Sequence, residues 1–268
     1  MNDNLLKAIA STGYFARGFV YLAIAAFAIG GMTGAGNSDG ARGALAQLAT
    51  KPFGQSLLWI IAMGLVAFMV WRLMQSIGDA DRHGRDIKGI AVRAMLLVSA
   101  VSHGLLALTA IYLVTSLGNA DAGGPSGAQQ SSSWLLRQPF GRWLLGAIGI
   151  GIALWGVAHA LKGIKGRYRE RLESGMPDHL WVRAICTLGL VARGLVFVMI
   201  GGFLVRAALY VDSSEAKGLG GVLRTLESSS YGPWLLSGMA LGLGAFGLYC
   251  LVESRWRHIS KPTAPEFG

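Results

Sequence analysis

Residues 11–33, STGYFARGFVYLAIAAFAIGGMT, combine an Arg-Gly pair with an apolar run long enough to form a membrane helix. The hydrocarbon core of a bilayer requires about 20 mostly apolar residues in a helix. Five further stretches have the same character, so the predicted spans are residues 11–33, 56–77, 92–117, 141–163, 184–210 and 233–252. The sequence therefore predicts an all-α polytopic membrane protein with six transmembrane helices.

The composition agrees with this prediction. The chain has 268 residues, of which 53% are hydrophobic and 14% are charged; a typical soluble domain is about 25% charged. The mean hydropathy is +0.48, and the 39 glycines show no collagen-like period. These values exclude an ordinary soluble enzyme, a disordered tail and a disulfide scaffold.

The Arg-Gly stretch recurs along the chain. Residues 12–18 read TGYFARG, residues 98–104 read VSAVSHG and residues 188–194 read LGLVARG. Arg17, His103 and Arg193 are therefore equivalent positions, separated by 86 and 90 residues. A fixed period of this kind indicates internal repeats. We predict three two-helix repeats, 1–89, 90–179 and 180–260, followed by a tail at 261–268.

A second motif marks the returning helix of each repeat. It reads Pro52-Phe53-Gly54, Pro139-Phe140-Gly141 and, more weakly, Ser230-Tyr231-Gly232. We expect this turn to cap and anchor the helix, with the proline in its first turn, where a missing N–H costs least. Because each repeat has two spans, all three insert in the same direction. The expected object is a bundle with pseudo-threefold symmetry about an axis along the membrane normal.

The distribution of positive charge predicts the orientation. The net charge is +10, and 15 lysines and arginines fall on the side of both termini against six on the other side. The positive-inside rule then places both termini in the cytoplasm of a bacterial inner membrane. We expect the basic loops to contact anionic lipid headgroups rather than nucleic acid.

Taken together, these motifs resemble the domain-of-unknown-function 1206 family of bacterial six-helix integral membrane proteins. The resemblance depends on Tyr14-Phe15-Ala16-Arg17-Gly18, on Val191-Ala192-Arg193-Gly194 and on the Pro-Phe-Gly turns. It implies the six-helix architecture with three two-helix repeats and leaves the activity open. The middle repeat departs from the pattern because His103 replaces the arginine, and the third turn lacks the proline.

Three polar residues fall inside the predicted spans without an evident carboxylate partner: Arg17, His103 and Arg193. An unpaired arginine at the bilayer centre costs about 3 kcal/mol on insertion scales. Three explanations remain open. The side chains reach the inner edge of the membrane, or they bind backbone carbonyls and fix the packing, or they line a cavity that receives an anion or a lipid headgroup.

Other positions have simpler interpretations. Arg72, His159 and Glu253 are predicted at the inner rim of the bundle, and residues 78–88 as a solvated charged loop. By helical rise His103 lies about 15 Å and His159 about 6 Å from the inner side, so the two do not suit one haem. We expect no metal and no cofactor. Close helix packing of the Gly-x-x-x-Gly type is expected at Gly64, Gly151, Gly238 and Gly242.

No nucleophile elbow, phosphate-binding loop or zinc-binding helix is present in the sequence, and we do not expect an enzyme. The leading hypothesis is a non-enzymatic accessory, scaffold or lipid-associated subunit that contacts membrane lipids and another membrane protein. The alternative is a small channel or transporter, in which Arg17, His103 and Arg193 surround a path for an anion or a proton.

Overall fold

The computed structural model describes residues 3–32, 40–81, 83–84, 86–115, 127–172 and 179–257. Within these ranges the chain forms α-helices and two short 3-10 turns, with no β-strand. The helices are α1 (Asp3–Met32), α2 (Gly40–Ala49), α3 (Gly54–Ile77), α4 (Ile87–Thr115), α5 (Gly127–Leu136), α6 (Gly141–Ile164), α7 (Leu180–Tyr210), α8 (Leu219–Glu227) and α9 (Gly232–Trp256).

Six of these helices are long and apolar enough to cross a membrane: α1 over Lys7–Gly30, and α3, α4, α6, α7 and α9 over their full lengths. The prediction of an all-α membrane protein with six spanning helices is confirmed. The predicted spans coincide with these helices, except that residues 33, 116 and 117 lie outside the described residues. The tail at 261–268 also lies outside them.

The six long helices pack in the order α4–α3–α1–α9–α7–α6, each against the next. The first and last helices of the chain, α1 and α9, therefore lie side by side at the centre. A closed ring of three equivalent repeats would also require α4 to pack against α6, and these two helices do not pack together. The predicted pseudo-threefold symmetry is not confirmed, and the helices form an open arc.

Glycines explain why the two long helices of the first repeat pack against each other, and likewise those of the third. A Cβ atom added at Gly13 would lie 2.6 Å from Cα of Phe68, and one added at Gly189 would lie 2.5 Å from N of Phe246. Only glycine permits such a close approach between helix backbones. The equivalent residue of the middle repeat is Ser99. Because Ser99 carries a Cβ atom, α4 and α6 cannot pack in the same way.

The four glycines predicted to pack divide into two pairs. A Cβ atom added at Gly64 would lie 2.2 Å from the Cβ atom of Ala16, and one added at Gly242 would lie 2.4 Å from that of Ala192. These two glycines therefore occupy helix interfaces. At Gly151 and Gly238 an added Cβ atom meets nothing within 4 Å. The prediction that Gly151 and Gly238 pack inside the bundle is therefore wrong.

The closest helix pair, α6 and α7, is joined by four other glycines. A Cβ atom added at Gly156 would lie 2.5 Å from the carbonyl oxygen of Gly194, and one added at Gly194 would lie 2.6 Å from that of Gly156. Gly149 and Gly201 make the same reciprocal contact two turns away. This interface holds the second repeat to the third.

The Pro-Phe-Gly turns differ from the prediction in one respect. The helices α3 and α6 begin at Gly54 and Gly141, so the proline lies before the helix rather than in its first turn. The intervening Phe53 and Phe140 are left-handed, with φ of 59° and 60°, a conformation that an α-helix cannot continue. An added Cβ atom at either glycine would lie 1.9 Å from a carbonyl oxygen of the preceding short helix. The motif therefore makes a tight turn.

Candidate functional site

Two arginines are buried in the middle of the helical arc, Arg17 on α1 and Arg193 on α7. Their side chains are 3% and 7% exposed. Cζ of Arg17 lies 4.9 Å from the ring centre of Phe68 and 4.9 Å from that of Phe246. Cζ of Arg193 lies 4.5 Å from the ring centre of Phe246 and 4.8 Å from that of Phe197. Phe246 on α9 thus contacts both cations.

We call this group the arginine–aromatic cluster; its members are Arg17, Tyr21, Phe68, Arg193, Phe197 and Phe246. Contacts between a guanidinium and an aromatic face contribute about 0.5–2 kcal/mol each, with the larger values in desolvated sites. Each aromatic ring comes from a helix that packs next to an arginine-bearing helix, or from that helix itself. The cluster therefore stabilises the central helices while it holds two positive charges away from water.

The aromatic contacts do not use the hydrogen-bond donors of the two arginines. One terminal nitrogen of Arg193 donates to the Tyr21 hydroxyl at 2.9 Å. Nε of Arg17 and Nε of Arg193 are buried and have no acceptor among the residues that the structure describes, and the same holds for Nε of Arg72 and Arg257. No carboxylate in those residues pairs with the guanidinium of Arg17 or Arg193. The cluster thus retains buried N–H donors, and an unsatisfied buried donor is costly.

The two histidines flank the arginine–aromatic cluster from opposite ends of the arc. Nδ1 of His103 lies 2.7 Å from the carbonyl oxygen of Ser99, and its ring meets that of Phe68 at 4.6 Å. His159 on α6 meets the ring of Phe197 at 5.6 Å. Both histidines are partly exposed. His103 shares the ring of Phe68 with Arg17, and His159 shares that of Phe197 with Arg193. The structure therefore brings Arg17, His103 and Arg193 together.

His159 and Arg72 occupy equivalent positions, each 18 residues after the glycine that begins its helix. Arg72 and Glu253 lie at the end of the bundle where α1 begins and α9 ends. Arg72 donates to Oε1 of Gln75 at 2.9 Å, and its Cζ lies 4.7 Å from the ring centre of Phe68. Arg72 therefore links the rim to the arginine–aromatic cluster.

A buried ion-pair network holds this rim together. The terminal nitrogens of Arg257 donate to Glu253 at 2.6 Å and to Asp81 at 3.1 Å. Gln75 donates to the same Asp81 oxygen at 2.8 Å. Residues 78–88 were expected to form a solvated loop, and for Asp81 this is wrong because its side chain is only 12% exposed. The network joins the α3–α4 loop to the end of α9.

Arg257 lies just beyond the last spanning helix and is the centre of the network. Burial alone would lower its pKa, but Tyr14, Glu253 and Asp81 around it raise that pKa above its ordinary value. Cζ of Arg257 also lies 5.1 Å from the ring centre of Tyr14. Sequence reasoning counted Arg257 only as an orientation charge. Nothing in the neighbouring sequence indicates that it pairs with a residue 176 positions away.

Among the described residues, no group of three or more His, Cys, Asp or Glu side chains is placed to hold a metal ion. The acidic residues of the α3–α4 loop bind the chain itself. Asp79 accepts hydrogen bonds from the backbone N–H groups of His83 and Gly84, and Asp86 accepts one from that of Gly89. The strongest candidate site is therefore the arginine–aromatic cluster.

Comparison with known families agrees with the three repeats seen in the sequence. The model of a family described as "Domain of Unknown Function (DUF1206)" matches residues 12–79, 94–166 and 188–257. The chain belongs to this family. It is also 30% identical over 261 residues to the uncharacterized protein YxxB of Bacillus subtilis (strain 168), a match that covers 95% of this chain and 92% of YxxB. No solved structure matches.

Each DUF1206 match contains one member of the equivalent set Arg17, His103 and Arg193. In this DUF1206 protein the two arginines come from the first and third matches, whose helices meet at the α1–α9 contact. The middle match contributes a histidine and the two ends of the arc. The three copies of one motif therefore differ in both residue and surroundings.

Proposed function

We propose that this DUF1206 protein is a non-enzymatic membrane protein that binds an oxyanion at Arg17 and Arg193. The carrying observation is that Arg17 and Arg193 have buried Nε donors without an acceptor and no carboxylate partner in the described residues. Nε of Arg72 and of Arg257 also lack an acceptor there, but Arg72 donates to Gln75 and Arg257 pairs with Glu253 and Asp81. A guanidinium presents its donors in a fork that matches the oxygens of a phosphate or a carboxylate. A bound oxyanion would satisfy these donors and offset the cost of two buried positive charges.

The setting of the site supports a lipid-associated or accessory role. In an α-helix the side chains lean toward the N-terminus, and α1, α4 and α7 all begin at the same end of the bundle. By the charge distribution we propose that this end faces the cytoplasm and that the membrane is the bacterial inner membrane. Arg17, His103 and Arg193 then lean toward the leaflet whose anionic headgroups face the basic loops.

The alternative of an anion or proton channel shares the same residues. Phe68 and Phe246 contact Arg17, and Phe246 also contacts Arg193, so aromatic rings pack against both cations. This packing favours a binding site over a conducting path. Our proposal involves no cofactor. Phosphate or chloride flux into liposomes that requires both arginines would support the channel instead.

The proposal is tested by ligand-induced stabilisation in a neutral detergent. Thermal unfolding is measured with inorganic phosphate, or with phosphatidylglycerol, against sodium chloride at equal ionic strength. A ligand at 100 times its Kd stabilises a protein by about 2.7 kcal/mol. We expect at least one of the two ligands to raise the Tm of the native protein and not that of Arg17→Gln or Arg193→Gln.

Arg206→Gln is the matched control. Arg206 also lies on α7, but its side chain is 56% exposed and pairs with Glu215 at 3.2 Å. This variant should keep the full ligand-dependent rise in Tm. If neither ligand stabilises the native protein, or if both stabilise all four proteins equally, the buried arginines are not an oxyanion site.

A further inference from the structure

The arc of helices is open on one side, between α4 and α6. These two helices are also the least buried of the six, with 22% and 17% of their most apolar windows inside the protein. Gly64 and Gly242 mark the faces on which α3 and α9 contact the first helix of their own repeats. The equivalent face of α6 carries Gly151, which has no neighbour within 4 Å. The opening therefore lies where the two long helices of the middle repeat would pack against each other if this repeat were like the other two.

The two helices beside this opening carry polar groups. On α4, Ser102 is exposed, and it is the equivalent of the buried residues Ala16 and Ala192. Its hydroxyl donates to the carbonyl oxygen of Val98 at 2.8 Å. His103 follows on α4, and His159 lies on α6; both are partly exposed. His103 contacts Phe68 and His159 contacts Phe197. The two helices beside the opening therefore each carry a histidine that contacts the arginine–aromatic cluster.

The two helices beside the opening also have exposed apolar side chains. On α4 the side chains of Val101, Leu105 and Leu108 are exposed. On α6 those of Leu154 and Val157 are exposed as well. A ligand that fits both the arginines and these helices has a negatively charged group at one end and hydrocarbon at the other. A free anion would match the cationic interior but not the flanks.

We infer that the ligand of the site is an anionic glycerophospholipid, which enters sideways between α4 and α6. Its phosphate binds the unpaired donors of Arg17 and Arg193, while its acyl chains lie along the exposed apolar residues of α4 and α6. This inference rests on the proposed oxyanion site and adds the identity and route of the ligand. We choose a lipid as the occupant because its negative charge complements the two arginines. A second copy of this chain would bring no identified negative charge to the same place.

The inference is tested by narrowing the opening. Gly151→Trp places an indole on the α6 face of the opening, and Gly238→Trp places one on α9. Both glycines are exposed and have no neighbour within 4 Å, so neither variant disturbs helix packing. Delipidated proteins are titrated with phosphatidylglycerol or phosphatidylethanolamine, and bound lipid is counted by native mass spectrometry. Inorganic phosphate is tested in parallel by thermal unfolding.

We expect the native protein and Gly238→Trp to retain phosphatidylglycerol at least tenfold more tightly than phosphatidylethanolamine. Gly151→Trp and Arg17→Gln should each weaken phosphatidylglycerol binding at least tenfold. Equal phosphatidylglycerol binding by Gly151→Trp and Gly238→Trp overturns the entry route. Stabilisation by phosphate through the arginines without phosphatidylglycerol binding overturns the lipid but leaves the oxyanion site intact.

A second measurement locates the lipid without changing the opening. Phosphatidylglycerol with a photoreactive diazirine in one acyl chain is bound to the native protein, and cross-linked peptides are identified by mass spectrometry. Cross-links concentrated on α4 and α6, and lost in Arg17→Gln, support the inference. Cross-links spread evenly over all six helices overturn it.

Discussion

At the scale of single residues, the protein handles its buried arginines in two ways. Arg257 pairs with two carboxylates, Glu253 and Asp81. Arg17 and Arg193 instead lie against aromatic rings and keep buried Nε donors without acceptors in the described part of the chain. Nε of Arg257 also has no acceptor in the described residues, but its charge is balanced by the carboxylates of Glu253 and Asp81. The arrangement around Arg17 and Arg193 leaves room for a partner that the protein does not supply, and for this reason we place the binding site there.

The ion-pair network should contribute strongly to stability. Glu253→Gln removes one carboxylate from Arg257, and breaking a buried pair costs about 3–5 kcal/mol. We expect a loss of about 3 kcal/mol in the free energy of unfolding, the lower end of the range for a broken buried pair, because Asp81 still contacts Arg257. Chemical unfolding in mixed detergent micelles measures this loss.

The exposed pair of Arg206 and Glu215 supplies the comparison for that measurement. Exposed pairs contribute about 0–1 kcal/mol, so Glu215→Gln should change the unfolding free energy by less than 1 kcal/mol by the same principle. Similar losses in both variants would mean that the buried network is no more stabilising than a surface contact.

At the scale of helices, glycine decides which neighbours meet. The pairs α1–α3 and α7–α9 pack closely at Gly13 and Gly189, whereas Ser99 prevents the same contact between α4 and α6. The middle repeat has diverged at the position that joins its own two helices. Its second helix is held instead by the glycine contacts of α6 with α7, so a repeated sequence produces an arc rather than a ring.

Two alanine substitutions on α6 test this view of packing. Gly156→Ala puts a methyl group 2.5 Å from the carbonyl oxygen of Gly194 and should lower the unfolding free energy by about 1–3 kcal/mol, as overpacking does. Gly151→Ala meets no atom within 4 Å and should be neutral or stabilising, since alanine favours a helix by up to about 1 kcal/mol over glycine. Thermal unfolding of both proteins decides the matter, and an equal loss would contradict the assigned interface.

Much of this architecture could be predicted from the sequence, because apolar length and repeat period are local signals. The repeat period also identifies Arg17, His103 and Arg193 as equivalent positions. The contact between Arg257 and Asp81 could not be predicted, since no local pattern links residues that far apart. The opening had a readable signal: a serine at position 99 stands where the other two repeats have glycine. The structure shows why this serine matters: a Cβ atom at the equivalent Gly13 would lie 2.6 Å from Cα of Phe68.

At the scale of the whole molecule, six spanning helices and the excess of positive charge on one side predict an orientation that labelling can test. Gln138, in a turn before α6, and Lys165, just after it, are both exposed. We expect an impermeant maleimide to label Gln138→Cys in intact cells and Lys165→Cys only after permeabilisation. Cys186 and Cys250 are buried and serve as the unlabelled background. The reverse pattern would invert the proposed topology.

The side-by-side packing of α1 and α9 has a consequence for biosynthesis. Arg17 enters the bilayer with α1, but Phe246, one of its aromatic neighbours, lies on α9 and is synthesised later. A chain that ends before α9 therefore holds a membrane-embedded cation without its full aromatic shielding, and only the docking of α9 completes that shielding.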